Sequence, residues 1–576
     1  MKLLKELNYI LDKKQKSHLA VLAVMILIGG ILEAVGVTAI IPVAAAIIQP
    51  DNQYVLWLGE LLEIEDSTTL TVAILMAMMV IFIFKNIYMI FLQYVQNRFI
   101  TNNRNRLISR VLREFLNRPY EFYLDADIPT VFRITDADIP QVFSLLTDLL
   151  LMSTEIVVSI CLGITSLLVS FKITCFMIVI LAIMSLAITK ILKPNLSKYG
   201  EKNLKVQSRI AKWRIEAIYG IKDVKVLHRE SFFADNYEET GKVGAVIARK
   251  YAVLNSLPRL MIETVFIVSL LAYLAVDIRN GADAMALIPQ LSALAVAATR
   301  LLPSVSRINT YMTNVAYEQP CLDFLYENLD MNKVALANSK TNKKVENTNP
   351  LVLNKEIRLE GIEYAYPNTD KDIFTGADMV IPKGKSVGIM GTSGAGKSTI
   401  VDILLGLLTV RKGDITCDGR EIFDNYPSWL SMIGYIPQSI YLVDEPIRNN
   451  IAFGIADDEI DDERIWKVLE EAQLKDFVKT LSEGLDTAIG DRGVRLSGGQ
   501  RQRLGIARAL YHNPEILVFD EATSALDNET ERVLMEAING FHGRKTMIII
   551  AHRLNTIEQC DIIYKVEDGK ITETTL

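Results

Sequence analysis

The sequence lacks the features of a disulfide-stabilised fold, a cysteine-bound metal centre or a nucleic-acid interface. Its few cysteines follow no metal-ligand spacing and no pairing pattern, so we expect them to be reduced and structural. They are Cys161, Cys175, Cys321, Cys417 and Cys560. The net charge of −7 gives no basic footprint for nucleic acid. The N-terminal segment has no small-residue cleavage site, which disfavours a removable signal peptide.

Apolar residues are abundant and make up 50% of the 576 residues, too many for an ordinary soluble enzyme. They concentrate before residue 325, in six stretches that each approach or exceed the roughly 20 residues a membrane span needs. The stretches are 18–48, 68–95, 141–170, 173–192, 257–278 and 283–305. Six such runs in series, without a strand pattern between them, favour six transmembrane helices over the core helices of a soluble protein.

The polar segments around these stretches predict an orientation. Residues 1–18 are basic and amphipathic, which indicates a helix lying along the membrane interface. The loops 98–118 and 193–255 are rich in lysine and arginine, whereas 49–67 contains neither. Basic loops stay in the cytoplasm, so both termini are expected there.

The pattern changes after the last apolar stretch. Residues 331–350 are polar and lack periodicity, which is typical of a linker. From residue 351 short β-rich runs alternate with glycine turns. The sequence therefore predicts a membrane domain over 1–330, a linker over 331–350 and an α/β domain over 351–576.

A phosphate-binding loop opens the second domain. The segment GTSGAGKST at Gly391–Thr399 fits the pattern of a glycine, four residues, then glycine, lysine and serine. Its glycines allow backbone N–H groups to cradle a phosphate at the start of a helix. The expected ATP contacts from this loop are Gly391, Ser393, Gly394, Gly396, Lys397, Ser398 and Thr399.

Further motifs follow in a fixed order. They are GYIPQS around Gln438, LSGGQ at 496–500, ILVFDE at 516–521, SALD at 524–527 and His552 after an apolar run. In this order they resemble the ATPase domain of the ABC transporter family. With six spans before it, the whole chain resembles a half-transporter of the exporter type. The expected fold is an α-helical membrane domain followed by an α/β P-loop ATPase domain.

The resemblance implies where ATP and Mg²⁺ bind. Tyr366 would stack on adenine, although its neighbour Tyr364 could face the core instead. Asp520 and Ser398 would support Mg²⁺. Gln438 would contact both the metal and the attacking water.

The resemblance also implies the catalytic groups. Glu521 is expected to be the general base that polarises water toward the γ-phosphate. His552 would hold that phosphate and the water, although a lone histidine is often a core residue. Gln438 completes this set.

The signature motif implies a second chain. In the family, Ser497, Gly499 and Gln500 of one ATPase domain close over ATP held by the partner's loop. One chain has one copy of each half-site, so a homodimer with two equivalent sites is the leading expectation, and a heterodimer remains open.

Two classes of function fit this organisation. The intact catalytic set favours an ATP-driven exporter or flippase over an ATP-gated channel or regulatory module. The segments 31–43, 256–263 and 299–308 resemble bacterial lipid-linked oligosaccharide flippases, which implies a polyprenyl-pyrophosphate glycolipid and a bacterial cytoplasmic membrane. Another lipid, such as a lipid A-like glycolipid, or a drug or peptide is the alternative.

Two sets of residues are candidates for substrate contact. In 51–66, Trp57 and Leu61 lie on one apolar helical face that could bind a polyprenyl tail or simply pack on neighbouring spans. Three cations, Lys85, Arg259 and Arg300, interrupt apolar helices at a similar depth, and Arg307 lies two helical turns below Arg300 on the same face. They could form a belt for a pyrophosphate. Alternatively, they could extend to lipid headgroups, or Arg259 could pair with Glu263.

Overall fold

A computed structural model describes residues 2–38, 66–125, 128–169, 171–279, 284–338, 349–367, 369, 371–521, 528–551 and 557–575, with side chains undescribed at some helical positions, including 284–300. The described chain forms two compact units. The first comprises Met1–Leu116 and Asp127–Lys333, and the second comprises Asn117–Ala126 and Val334–Leu576.

The first unit is helical. Its long helices are α2 (Lys13–Thr38), α3 (Ser67–Leu116), α6 (Ile139–Val169), α7 (Phe171–Tyr219), α9 (Glu230–Arg279) and α10 (Ala284–Asn338). Its shorter helices are α1 (Lys2–Ile10), α5 (Ile128–Arg133) and α8 (Ile221–Val226), and the π-helical turn Ile134–Asp138 joins α5 to α6. The short helix α4 (Tyr120–Asp125) lies in the second unit.

Within the described residues, five helical segments are long and apolar enough to cross a membrane. They are Lys13–Glu33, Thr68–Leu116, Ile128–Ile164, Thr174–Tyr219 and Glu230–Ala272. Helix α10 begins at Ala284 and therefore includes the sixth apolar stretch of the sequence, 283–305, from its second residue onward. The predicted class, a membrane domain of long apolar helices, is confirmed.

Glycines allow the helices of this unit to approach closely. A Cβ at Gly30 would lie 2.4 Å from Val157 Cγ1, so only glycine lets α2 pack against α6 here. A Cβ at Gly200 would lie 2.1 Å from the carbonyl oxygen of Tyr317, where α7 crosses α10. Small residues at helix contacts are how apolar helices associate when lipid provides no hydrophobic driving force.

Three structural features bear on the predicted domain organisation. Helix α1 packs on α10, where Lys2 Nζ lies 2.8 Å from Asp323 Oδ2 and Tyr9 donates to Asp330 Oδ1 at 3.3 Å. Helix α10 continues to Asn338, so the first part of the predicted linker is helical. Residues 117–126 belong to the second compact unit, although they lie within the predicted membrane domain, 1–330.

The second unit contains two sheets. The strands are β1 (Glu356–Tyr364), β2 (Phe374–Pro382), β3 (Ser386–Met390), β4 (Lys412–Cys417), β5 (Arg420–Glu421), β6 (Ile433–Ile436), β7 (Ile516–Asp520), β8 (Thr546–Ile550), β9 (Ile562–Glu567) and β10 (Lys570–Thr574). An antiparallel sheet has the order β2-β1-β4-β5, and a larger sheet has the order β10-β9-β3-β8-β7-β6.

The second unit also contains helices along the chain after β3. They are α11 (Lys397–Leu404), α12 (Tyr426–Ser431), α13 (Ile447–Ile451), α14 (Asp462–Glu471), α15 (Lys475–Thr480), α16 (Gly498–Leu510) and α17 (Asn528–Asn539). Strands β6, β7, β8, β3 and β9 are parallel, and β7 and β8 are completely buried. The carboxyl ends of such strands place the following loops at one edge, where α/β proteins bind ligands.

Candidate nucleotide site

The phosphate-binding loop connects the buried strand β3 to helix α11. Gly394 and Gly396 have φ angles of +81° and +105°, which other residues adopt only under strain. A Cβ at Gly396 would lie 3.0 Å from Phe374 Cζ, and one at Gly391 would lie 2.6 Å from the carbonyl oxygen of Val566. Glycine is therefore required both by the loop conformation and by the space around it.

Lys397 stabilises the loop from inside. Its ammonium group donates to the carbonyl oxygens of Gly391 and Thr392, both at 3.1 Å, and its side chain is buried. Ser393 and Gly394 are exposed at the rim. The lysine is thus encircled by loop backbone and helix N-terminus, which is the arrangement that binds phosphate oxygens.

A buried carboxylate lies beside the loop, at the end of β7. Ser398 Oγ donates to Asp520 Oδ1 and Tyr435 Oη donates to Asp520 Oδ2, both at 3.4 Å. Asp520 is 8% exposed, and burial together with neighbouring Glu521 raises its pKa above the ordinary value. A cation would relieve both effects. A hydroxyl and one carboxylate are hard oxygen donors that suit Mg²⁺ held together with phosphates.

The expected base and the glutamine are in contact. Gln438 Nε2 donates to Glu521 Oε2 at 2.7 Å, which brings together two residues 83 positions apart in the sequence. Glu521 has φ +48°, and its backbone N–H donates to the carbonyl oxygen of Ile550 at 3.1 Å. A non-glycine residue in this region is strained, and such strain is concentrated at functional sites. The geometry can hold a water molecule near a polarising carboxylate.

The two tyrosines before the loop have different environments. Tyr364 is 1% exposed in the core, whereas Tyr366 is half-buried and its hydroxyl is hydrogen-bonded to Thr399 Oγ1 at 2.8 Å. The rings meet edge to face, with centroids 5.4 Å apart. Of the two, Tyr366 has a ring available to a nucleotide, and Thr399 holds it beside the loop.

The signature motif begins helix α16. Ser497 is the exposed N-cap: its Oγ accepts from the Gln500 backbone N–H at 3.2 Å, while Gln500 Oε1 accepts from the Ser497 backbone N–H at 2.8 Å. This reciprocal capping occupies the Gln500 side chain locally and fixes Ser497 at the positive end of a 13-residue helix. Gly499 is buried one residue into the first turn.

Several predicted site residues cannot be placed. His552, the SALD segment 524–527, and the apolar face containing Trp57 and Leu61 lie outside the described residues. The backbone of Arg300 lies in α10, but its side chain is among those not described.

The other membrane cations have distinct surroundings. Lys85 is 6% exposed and its Nζ lies 2.9 Å from Glu33 Oε2 on α2. Arg307 is paired with Glu155 on α6, with Nε 2.6 Å from Oε1. Arg259 is exposed on α9 and, within the described part of the chain, forms no ion pair with Glu263 or any other carboxylate.

Sequence reasoning missed three side chains near the nucleotide site. Tyr435 contacts Asp520 from strand β6. Asp402, on α11, is half-buried, and its burial together with Asp520 raises its pKa to about 6. Glu121 of α4 accepts a hydrogen bond from the Thr409 backbone N–H at 2.6 Å. Only Tyr435 lay inside a quoted motif, GYIPQS, and its spacing to Asp520 in the sequence gave no signal.

Two regions of the chain match models of known protein families. Residues 17–276 match the model of the ABC transporter transmembrane region, and residues 374–524 match the ABC transporter model. A relative called ABC transporter B family member 22, from Arabidopsis thaliana, is 42% identical over 39% of this chain and 18% of its own length. An ATP-dependent lipid A-core flippase from Photobacterium profundum is 41% identical over 38% of each chain.

These relatives are matched over well under two thirds of their own length. Among solved structures, a bacterial Atm1-family ABC exporter with ATP bound has a TM-score of 0.79, covering 98% of this chain and 96% of that chain at 22% identity. This likeness shows the exporter fold. Because the two family models together match more than half of the sequence, the chain belongs to the ABC transporter family, with a transmembrane region followed by an ABC ATPase domain.

Proposed function

We propose that this chain is an ATP-driven exporter or flippase that hydrolyses ATP to ADP and phosphate. The observation that carries the proposal is the contact of Gln438 with Glu521 next to the Asp520–Ser398 pair and the phosphate-binding loop. Mg²⁺ bound by Ser398, Asp520 and Gln438 would neutralise charge on the phosphates. Lys397 binds phosphate oxygens, and Glu521 accepts a proton from water that Gln438 orients. His552 is proposed to hold the γ-phosphate.

A second copy of the chain completes the proposed site. Ser497 and Gly499 lie at a helix N-terminus, which attracts anions. Family resemblance assigns these residues to the partner's ATP. We therefore propose a homodimer with two equivalent sites, in the cytoplasmic membrane of a bacterium, with the ATPase domains in the cytoplasm.

For the substrate, we propose a lipid-linked oligosaccharide with a polyprenyl-pyrophosphate anchor. Lys85 and Arg307 each have a carboxylate partner, so the pyrophosphate contact rests chiefly on Arg259 and Arg300. Arg259 supports it because an exposed arginine without an ion pair among the described residues can bind phosphate bidentately. Trp57 and Leu61 are proposed to contact the polyprenyl tail.

The substrate proposal is tested by neutralising both arginines. Arg259→Gln with Arg300→Gln should reduce flipping of a pyrophosphate-linked lipid in proteoliposomes, while ATPase activity in detergent survives. Arg249→Gln is the matched control, because Arg249 is exposed on the same helix, roughly 15 Å nearer the cytoplasm at the helical rise. Normal flipping by the double variant would exclude these arginines from substrate binding.

A lipid A-like glycolipid is the second candidate, favoured by the name of the Photobacterium relative. Both lipids are anionic and amphipathic, so the same proteoliposomes should be assayed with each separately. Faster flipping of the lipid A-like molecule would replace the first candidate. Export that proceeds equally with hydrolysable and non-hydrolysable ATP would instead favour a gated channel.

A further inference from the structure

The Asp520 carboxylate is held by two hydroxyl groups, one on each oxygen. Ser398 reaches Oδ1 from helix α11, and Tyr435 reaches Oδ2 from strand β6. Strand β6 runs parallel to β7 with Tyr435 opposite Val518, two residues before Asp520. Adjacent strands of one sheet thus bring the phenol to the carboxylate, and the backbone ladder fixes their relative position.

The surroundings of Tyr435 define its role in this contact. Its phenol is half-buried and lies near Asp520, Asp402 and Tyr120. A phenol has an ordinary pKa of about 10, so the hydroxyl keeps its proton at neutral pH. An ionised carboxylate can only accept hydrogen bonds, so Tyr435 must be the donor.

The two hydroxyls should behave differently when a metal binds. Ser398 is the hydroxyl expected to become a magnesium ligand. It therefore cannot keep its hydrogen bond to Asp520 Oδ1 both with and without the metal. Tyr435 has no such second task and can keep its bond to Oδ2. Residues that hydrogen-bond to a metal-binding carboxylate orient it, and their loss usually lowers metal affinity substantially.

We propose that Tyr435 is a positioning residue for the magnesium site, holding Asp520 so that its other oxygen faces the metal. The inference rests on the proposed ATPase function, which it deepens by assigning a residue that the motifs do not. The competing role is packing alone, in which the ring fills space between β6 and α11 and the hydroxyl is dispensable.

Tyr435→Phe separates these roles, because it removes the hydroxyl and keeps the ring. We would measure Mn²⁺ binding by electron paramagnetic resonance on the full chain in detergent, with a non-hydrolysable ATP analogue. Mn²⁺ affinity should fall by about 10-fold or more, the usual cost of losing such a partner. The Mg²⁺ concentration for half-maximal ATPase activity should rise, while analogue affinity in EDTA and the melting temperature stay unchanged.

Tyr364→Phe is the matched control. Tyr364 is buried in the same unit, and its hydroxyl has no hydrogen-bond partner among the described residues, so its removal should leave Mn²⁺ affinity unchanged. Unaltered Mn²⁺ affinity in Tyr435→Phe would overturn the proposal. A parallel loss of metal-free nucleotide affinity and melting temperature would also overturn it, in favour of packing. A wild-type chain that binds Mn²⁺ but hydrolyses no ATP would contradict the proposed function instead.

Discussion

The assignment of Glu521 as general base can be tested by the substitution Glu521→Gln. The Gln438 amide donates to Glu521 Oε2 at 2.7 Å, and a glutamine at 521 still offers a carbonyl oxygen to that donor. Its backbone, at φ +48°, need not change either. Geometry is therefore kept while basicity is lost. General bases contribute about 10²- to 10⁴-fold, so the barrier to hydrolysis should rise by roughly 3–5 kcal/mol.

The assay should separate chemistry from binding. Phosphate release should nearly disappear and ATP affinity should match that of the wild type. With Mg²⁺, ATP should stay trapped in the closed dimer and co-elute with it in size-exclusion chromatography. Glu573→Gln is the control, because Glu573 is an exposed carboxylate on β10 of the same unit. Hydrolysis at the wild-type rate would refute the assignment of the base. Loss of ATP binding would show that the change acts before the chemical step.

Two further predictions concern the same unit. Lys397→Ala should weaken ATP binding roughly 10- to 100-fold in a filter or fluorescence titration, because charge-assisted hydrogen bonds are lost; unchanged affinity would contradict the loop geometry. Burial and Asp520 raise the pKa of Asp402 from 3.8 to about 6, so folding stability is lost as pH rises through that range. Asp402→Asn should therefore raise the free energy of unfolding more at pH 8 than at pH 4, by about 1–2 kcal/mol after allowing for solvent screening, and thermal melts should show the larger gain at pH 8. An equal gain at both pH values would contradict this.

The nucleotide loop could be predicted because its chemistry is local. Glycines, lysine and serine at fixed spacing determine the conformation and predict the ligand, and the structure shows Gly394 and Gly396 in the left-handed region as that spacing requires. The position of the two carboxylates at the end of β7 could also be predicted, because a short apolar strand precedes them in the sequence. The motifs do not predict which distant segments of the chain are in contact. The Gln438–Glu521 contact depends on the pairing of β6 with β7, which no local pattern encodes.

Contacts made by unremarkable residues were missed for the same reason. In the sequence Glu121 follows a basic segment and has no feature that separates it from other surface carboxylates. In the structure it accepts a hydrogen bond from the Thr409 backbone N–H within the second unit. Its pKa is raised because the carboxyl is partly buried. The short helix α4 is too small and too far from residue 351 to be assigned to that domain from composition. Domain boundaries drawn along the sequence cannot show a segment that packs with a distant part of the chain.

The membrane helices show what hydropathy does and does not determine. An apolar run predicts a span, but it does not say which side of the helix faces a neighbour. A charge such as Lys85 within a span is costly, so the sequence alone predicts a functional role for it. In the structure its partner is Glu33, on another helix, and a Cβ at Gly36 would lie 3.1 Å from Lys85 Cδ. Opposite charges at matching depth on neighbouring helices neutralise each other, so a cation within a span has to be compared first with the carboxylates of the other spans. By that criterion, among the cations whose side chains are described, Arg259 is the one that best supports the proposed contact with substrate.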